Sequence, residues 1–471
     1  MAITVSNVIT IDHPSAELLT WCTKNLKLRN PEYDKKVRMH FWVGNTPEYL
    51  YLYEVRGDKL VLPFGTLPQI LLMKCERDWR TGNEVHLDFP VAENIDYHCE
   101  IPLYDYQQTA VEEMYWKQFG ILQSAAGSGK TQMGIALVAK LGKRALWLTH
   151  TKDLLTQSKQ RAEMYMDSSL LGTITEGKVN IGEGITFATV QTMCNLDLAQ
   201  YKDLWDVIIV DECHRVAGTP TAVSQFSKVL NSLAARHKYG LSATVHRSDG
   251  LIQSTFALLG DVVYTVPTEA VADKIMQVGI YPVPTGIGIS RECLNTDGTL
   301  NYAKLINHLC ESESRNELIC EYLIEERHKP SLILSDRLSH LEKLMKMLPV
   351  DMREDAVMVS GKMTTKKGKA EREQAIEDMR SGAKKYLFAT YSLAREGLDI
   401  PRLERLYMAS PIKDKAWVIQ SIGRIARVFP GKSKPVAYDF VDDIAFLHKM
   451  YKKRCTIYRS INCYWAGEDD V

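Results

Sequence analysis

The chain has 471 residues, 45% hydrophobic and 25% charged, and 58 Lys and Arg balance 58 Asp and Glu. This length exceeds one ordinary domain, roughly three being expected. The composition is that of a globular chain and excludes a disordered or fibrous one. No apolar run approaches the ~20 residues of a membrane span. The opening MAITVSNVITIDHPS lacks the basic and apolar regions of a secretory signal. Zero net charge argues against a simple charge-driven nucleic-acid binder, although a local basic groove can hide in that average. The ten cysteines form no C-x-x-C pair, which argues against zinc and for free thiols in a reducing compartment. The cytoplasm is the expected location.

In chain order, residues 1–98 read as a small N-terminal α+β accessory domain. RMHFWV at 38–43 reads as a strand. EYLYLYEV at 48–55 alternates, with Tyr49, Tyr51 and Tyr53 on one face and Leu50 and Leu52 on the other. RGDK at 56–59 is a turn and LVLPFG at 60–65 a returning strand, so a hairpin is expected. Its tyrosine face would be a nucleic-acid platform or a packing face against the next domain, and the slight acidity of this segment favours packing. From about residue 101, apolar strand candidates alternate with helical stretches. The candidates are GIL at 120–122, ALWLTH at 145–150, ITFATV at 185–190, DVIIVD at 206–211 and YGLSAT at 239–244, with QMGIALVAKLG at 132–142 among the helices. Such alternation predicts a parallel sheet covered by helices. A proline-bearing stretch places a linker near 280–290. A second series follows, SLILSD at 331–336, YLFATY at 386–391, RLYMAS at 405–410 and VAYDFV at 436–441. The expected fold is α/β, two parallel-sheet domains in tandem at 99–284 and 285–471 behind the N-terminal domain. KMTTKKGKAERE at 362–373 reads as a solvated helix start.

SAAGSGKT at 124–131, after a short strand and before a helix, has the context of a phosphate-binding loop. Small residues let backbone N–H groups of Ala126, Gly127, Ser128 and Gly129 wrap phosphates at a helix N-terminus. Lys130 would neutralise the β- and γ-phosphates, and Thr131 would ligate Mg2+. Ser124 stands where the general pattern has Gly. VIIVDECH at 207–214 is an apolar strand ending in two carboxylates, which stability alone does not explain. Asp211 would hold Mg2+, and Glu212 would orient and deprotonate the attacking water. Together these motifs predict hydrolysis of a nucleoside triphosphate. Ser242 and Thr244, at the end of another strand, would couple hydrolysis to movement. Gln420, Arg424 and Arg427 in QSIGRIAR fall on one helix face by spacing, and arginine suits phosphoryl transfer.

In this order, DECH, SAT and QSIGRIAR resemble motifs II, III and VI of superfamily 2 helicases. GLSATVHRSDG at 240–250 and ATYSLAREGLDIP at 389–401 resemble the XPB/UvsW branch. The N-terminal segment is similar to the leader of phage helicases related to UvsW, including those of T5-like phages. The resemblance spans roughly residues 100–440. It implies two RecA-like domains that use ATP and Mg2+, with Gln107 recognising adenine and Gly397 and Asp399 lining the nucleotide cleft. Many relatives have Arg where this chain has Tyr104. Thr149, Thr151, Lys152, Thr189, Gln191 and Thr390 would contact the nucleic-acid backbone, which positions a strand without reading its sequence. The implied function is an ATP-dependent DNA helicase or translocase of 3′ to 5′ polarity, a monomer acting on single-stranded, forked or branched DNA, with RNA–DNA hybrids as a further substrate. A phage context implies replication, recombination or repair in the host cytoplasm. The rivals are an RNA helicase, a restriction-type motor subunit, and a binding module with a dead ATPase. Intact Lys130, Thr131, Asp211, Glu212, Arg424 and Arg427 oppose the last.

Overall fold

The computed structural model describes residues 2–76, 85–125, 127–245, 251–267, 269–271, 275–361, 363, 365–395, 398 and 400–467. The chain divides into two compact units, Met1–Ala125 with Gly129–Pro267, and Thr268–Val471 with Ala126–Ser128. Among the described residues no helix is long and apolar enough to cross a membrane.

The first unit holds an eight-stranded sheet. Its strands run in the order Lys178–Asn180, Leu171–Thr175, Ile185–Thr189, Ala145–Thr149, Val207–Asp211, His237–Ser242, Phe119–Gln123, Val262–Thr265. All neighbours are parallel except the edge strand Lys178–Asn180. Strands covered on both faces read as unbroken apolar runs rather than alternations. Accordingly Ala145–Thr149, Ile185–Thr189 and Val207–Asp211 are buried throughout. Parallel strands present their C-terminal ends at one edge of the sheet. That edge carries Gln123, Asp211 and Ser242 in adjacent positions.

The N-terminal module is fused to this sheet rather than set apart from it, so the expected boundary at residue 98 marks no separate body. Its own five-stranded sheet runs Glu54–Arg56, Lys59–Pro63, Val8–Asp12, Ile3–Val5, Val85–Leu87. Its core, with Ile9, Leu18 and Leu62, continues into Val223, Ile252 and Ala257. A Cβ on Gly65 would lie 2.4 Å from Gly260 N, so the two backbones meet where only glycine fits. Lys238 is buried at this seam, donating to Asn7 O at 3.0 Å and Leu230 O at 2.8 Å.

The expected hairpin is present but shorter, Glu54–Arg56 against Lys59–Pro63 around Gly57 and Asp58. Tyr49–Tyr51 instead pairs with Lys27–Arg29, so the alternating run 48–55 serves two sheets. RMHFWV is not a strand. Helix Pro31–Arg38, started by Asn30 and Pro31, consumes its first residue, Met39 and His40 form a turn, and Phe41, Trp42 and Val43 are irregular. Neither expected role of the tyrosine face is uniform, because Tyr51 is exposed while Tyr53 meets Thr23 Oγ1 at 3.2 Å.

The second unit holds a seven-stranded, wholly parallel sheet. Its order is Ala356–Val359, Tyr386–Thr390, Ser331–Ser335, Arg405–Met408, Val436–Val441, Gly279–Pro284, Tyr464–Trp465. Gly279–Pro284 lies within this sheet, in register with Val436–Val441. The domain boundary therefore falls before it, near Pro267, and not at 284. Its two prolines are tolerated because the neighbouring strand at Tyr464–Trp465 is only two residues long and ends before Pro282. Buried ion pairs pin the unit, Arg315 to Asp442 at 2.7 Å, Arg405 to Glu326 at 2.9 Å and Arg454 to Asp439 at 2.7 Å. Helix Lys366–Ser381 occupies the predicted charged stretch and is capped by Thr365 Oγ1 accepting from Gly368 N–H.

Candidate active site

The phosphate loop follows Phe119–Gln123, and Ser124 N–H donates to Ser242 O at 3.0 Å, carrying the sheet pairing one residue further. The chain then turns with Gly127 at φ +85° and Gly129 at φ +84°, a region that disfavours a Cβ. A Cβ on Gly129 would lie 2.4 Å from Gln107 Nε2. Helix Lys130–Leu141 starts here, so its first N–H groups point at the loop. Lys130 is buried and its Nζ donates to Ser124 O and Ala125 O, both at 3.3 Å. Both partners are main-chain carbonyls. Ser128 is buried and Thr131 half-buried. Ala126 lies outside the described residues.

Asp211 ends the central strand beside this loop. Its Oδ2 accepts from Ser158 Oγ at 3.1 Å, and its Oδ1 from the Glu212 N–H at 3.0 Å. Burial and the Glu212 carboxylate push its carboxyl up to about 6, against the pull of Lys130 and these two hydrogen bonds. A carboxylate held this way fits a nearby cation, because a positive charge would remove the cost of its ionisation. Glu212 sits at φ +48°, a strained conformation for a residue with a Cβ, and such strain gathers at functional sites. The turn carries its carboxylate to His214, whose Nδ1 lies 3.2 Å from Glu212 Oε2 and 3.0 Å from Ser242 Oγ. Ser242 Oγ donates to Thr244 O at 2.7 Å and accepts from Thr244 N–H at 3.2 Å. One chain of contacts therefore joins the two-carboxylate loop to Ser242-Ala243-Thr244. His214 and Ser158 were not among the predicted site residues. The histidine was visible in VIIVDECH. Ser158 comes from helix Lys152–Glu163 and carries no local signal.

Other predicted residues fall in varied settings. Gln107 is buried at the start of helix Asp105–Lys117, and its Oε1 accepts from Tyr104 N–H at 3.0 Å. Thr149 is fully buried, and its hydroxyl donates to Thr151 O at 3.0 Å. It ties the strand end internally and does not present a hydroxyl to a strand outside. Thr189 is also turned inward, donating to Thr192 Oγ1 at 2.9 Å. Thr151 caps helix Lys152–Glu163, Lys152 is exposed and pairs with Glu176 at 2.7 Å, and Gln191 Nε2 lies 3.2 Å from His150 Nδ1. In the second unit Thr390 Oγ1 lies 3.1 Å from Ser392 Oγ.

Gln420 and Arg424 share helix Lys415–Ile425, and Arg424 Nη1 donates to Leu398 O at 2.9 Å. Arg427 is not on that helix. Lys432 Nζ takes up Ile425 O and Arg427 O, both at 2.8 Å, and Arg427 pairs with Ile275 in an isolated bridge. The last turn is thereby capped and the chain leaves it extended. Gly397 and Asp399 lie outside the described residues.

Two family models match the chain: "Type III restriction enzyme, res subunit" over residues 100–247 and "Helicase conserved C-terminal domain" over 314–429. A "Putative ATP-dependent RNA helicase" of Acanthamoeba polyphaga mimivirus is 27% identical over 69% of this chain and 60% of its own length. A "Probable helicase" of Escherichia phage T5 is 26% identical over 68% of this chain and 67% of its own. The "DNA 3'-5' translocase XPB2" of Sulfurisphaera tokodaii is 24% identical over 72% of this chain and 81% of its own. Among solved structures, S. cerevisiae Dbp5 bound to RNA and ADP BeF3 superposes with a TM-score of 0.56 at 19% identity, covering 78% of this chain and 90% of that one. That likeness concerns the fold, and supports the assignment of both parallel sheets as RecA-like. The two matched domains are those of superfamily 2 helicases, and with the helicase relatives they indicate an ATP-dependent helicase.

Proposed function

We propose that this superfamily 2 helicase is a DNA translocase that moves 3′ to 5′ and remodels forks, Holliday junctions and displacement loops. The observation that carries its motor chemistry is the sheet edge at which Asp211 and Ser242 end adjacent strands, with Lys130 near enough to pull the Asp211 carboxyl down, Glu212 following it, and His214 between Glu212 and Ser242. Lys130, whose Nζ is held by two main-chain carbonyls, would meet the β- and γ-phosphates. Thr131 and Asp211 would hold Mg2+, which would supply neutralisation of phosphate charge there. Glu212 would take the proton of the attacking water at its carboxylate. His214 would hold that carboxylate and report its state to Ser242 and Thr244. Gln420, Arg424 and Arg427 would face the γ-phosphate, with Gly397 and Asp399 beside it and Gln107 at the base.

The name of the Sulfurisphaera relative supports DNA and the 3′ to 5′ direction. The T5 relative is a probable helicase of a phage, and on that likeness the proposed role is in phage replication, recombination or repair, in the host cytoplasm. Thr151, Lys152, Gln191 and Thr390 would touch the strand. A second reading, an RNA helicase, is favoured by the name of the mimivirus relative. Backbone contacts do not separate the two, since the 2′-OH alone tells RNA from DNA at such a site.

The test is ATP turnover with single strand, duplex, fork, four-way junction, RNA and RNA–DNA hybrid, using Lys130→Ala as control. Strand displacement from 3′- and 5′-tailed duplexes is measured alongside. Strongest stimulation by forks and junctions, with displacement from the 3′ tail, is expected. Stimulation by RNA alone selects the second reading, and turnover indifferent to every nucleic acid refutes both.

A further inference from the structure

Residues 30–48 form an excursion that takes no part in the core. The N-terminal core runs through Leu26 and Leu28 and resumes at Leu50 and Leu52, with nothing between. Its helix Pro31–Arg38 buries no side chain. The excursion is nevertheless firmly built. At its base, buried Asn30 donates through its backbone N–H to Glu48 O at 3.0 Å and through Nδ2 to Pro47 O at 2.7 Å. Asn30 Oδ1 also accepts from the Glu32 N–H at 3.0 Å. Lys36 Nζ donates to Thr46 Oγ1 at 2.6 Å across the two limbs, and Arg29 pairs with Asp34 and Glu48.

The tip displays aromatic rings. The helix stops with His40 at φ +54°, its N–H donating to Val37 O at 3.1 Å, while Phe41 N–H donates to Lys36 O at 2.9 Å. This is a Schellman stop in which a histidine occupies the left-handed position usual for glycine. It leaves Phe41 59% and Trp42 87% exposed. The Trp42 indole lies over Gly44, so closely that a Cβ there would sit 2.9 Å from the ring.

Over the excursion as a whole, residues 30–48, three Lys and Arg balance three Asp and Glu, but the two signs are segregated. Residues 35–46, which lead to and form the tip, carry Lys35, Lys36 and Arg38 and no Asp or Glu, while Asp34 and Glu48 are paired with Arg29 at the base. Lys35 and Arg38 are exposed on the helix that leads to the rings. At the base, Lys27 Nζ stands 4.0 Å from the Tyr49 ring centroid. Aromatic rings beside cations form the platform on which unpaired bases stack while their phosphates are neutralised. An apolar patch meant for a protein partner would lack this excess of positive charge.

We propose that this excursion is a nucleic-acid contact of its own. The exposed rings of Trp42 and Phe41 stack on unpaired bases of a strand, and Lys35 and Arg38 hold the adjoining phosphates. The proposal rests on the nucleic-acid motor reading and adds to it a site outside the helicase motifs.

The test uses the full chain without nucleotide, titrated by fluorescence anisotropy onto labelled single-stranded DNA, single-stranded RNA, forked DNA and a blunt duplex. Trp42→Ala should weaken binding to the fork and to at least one single strand about tenfold, leaving the blunt duplex unchanged. Trp42→Phe should keep most of the affinity, and Trp42→Leu should behave like Trp42→Ala. A loss confined to DNA or to RNA identifies the strand that the site takes. Lys35→Ala with Arg38→Ala should flatten the salt dependence of single-strand binding, by about 0.7 in log–log slope for each phosphate no longer neutralised. ATP turnover without nucleic acid should be equal in all variants. Unchanged affinity of Trp42→Ala for every probe overturns the proposal, as does full retention by Trp42→Leu or a loss as large on the blunt duplex. Self-association that Trp42→Ala abolishes while nucleic-acid affinity stays intact overturns it too, in favour of a protein contact. The motor reading fails separately, if no probe raises turnover of the unaltered chain.

Discussion

His340 makes the second unit sensitive to acid in a way that one substitution isolates. The ring is buried at the start of helix Leu338–Met347, with Nδ1 2.9 Å from Ser335 Oγ and Nε2 2.9 Å from Asn316 Oδ1. The amide oxygen can only accept, so Nε2 carries the proton and Nδ1 accepts from the serine. A second proton on Nδ1 would lose that bond and bury a charge. Burial chiefly, with the positive charges of Arg315 and Lys343, pushes the imidazole down from 6.5 to about 3. Between those values the unfolded chain binds a proton that the fold refuses, so stability falls as pH drops below about 6.5 and the loss is complete near 3. From pH 7 to pH 5 this amounts to about 2 kcal/mol, or about 4–8 °C in melting temperature for a unit of roughly two hundred residues. His340→Gln keeps one donor and one acceptor without a titrating group. At pH 7 it should cost about 1 kcal/mol in packing and geometry. Thermal unfolding of the full chain at pH 7, 6 and 5 should show the two proteins converging and then crossing, with the variant the more stable at pH 5. Parallel curves would refute the reasoning, since they would mean that His340 takes up no proton on unfolding.

Four further outcomes follow from the geometry. Ser158→Ala removes a donor from the Asp211 carboxylate, and a hydrogen bond to a charged group is worth about 1.5–3 kcal/mol. The Mg2+ concentration for half-maximal ATP turnover should rise about tenfold, read by metal titration. Gly129→Ala places a Cβ against Gln107 at φ +84° and should destabilise by about 2 kcal/mol with a raised KM for ATP. Gly57→Ala, at φ +62° in open space, should leave that KM unchanged. His214→Ala should lower stimulation of turnover by nucleic acid more than it lowers basal turnover, because it cuts the link between Glu212 and Ser242. Burial pushes Lys238 down to about 7. Its folded value is below its unfolded one, so stability relative to Lys238→Met should rise as pH increases from 7 to 10.5, measured by urea unfolding.

Much of the architecture was legible in local pattern. The apolar strands of both parallel sheets stand close to where alternation with helices predicted them, because a strand covered on both faces must be a short continuous apolar run. The misreadings share a cause. RMHFWV has strand-forming residues, but Asn30 and Pro31 had already started a helix whose stop falls inside it. Gly279–Pro284 reads as a linker by its prolines, yet it pairs along Val436–Val441, a partner more than 150 residues away in sequence. Arg427 fits the helical spacing of Gln420 and Arg424, but Lys432 and Ile275 end the helix before it. Thr149 carries a hydroxyl suited to phosphate, and only packing shows it turned inward.

The sequence by itself determined the chemistry on offer. The glycines and Lys130 of the loop, and the two carboxylates after an apolar strand, are contiguous, so their spacing alone predicts a phosphate-binding turn and a cation-binding strand end. Tertiary structure decided which groups act on them. Ser158 reaches Asp211 from a helix more than 50 residues earlier, and His214 reaches Ser242 from the turn that follows the adjacent strand. Such contacts are set by strand order in the sheet and by where the helix and turn beside it pack. The fusion of the N-terminal module to the first sheet was decided in the same way, as was the exposure of Trp42. Burial depends on what the rest of the chain brings alongside, and no window of local sequence contains that information.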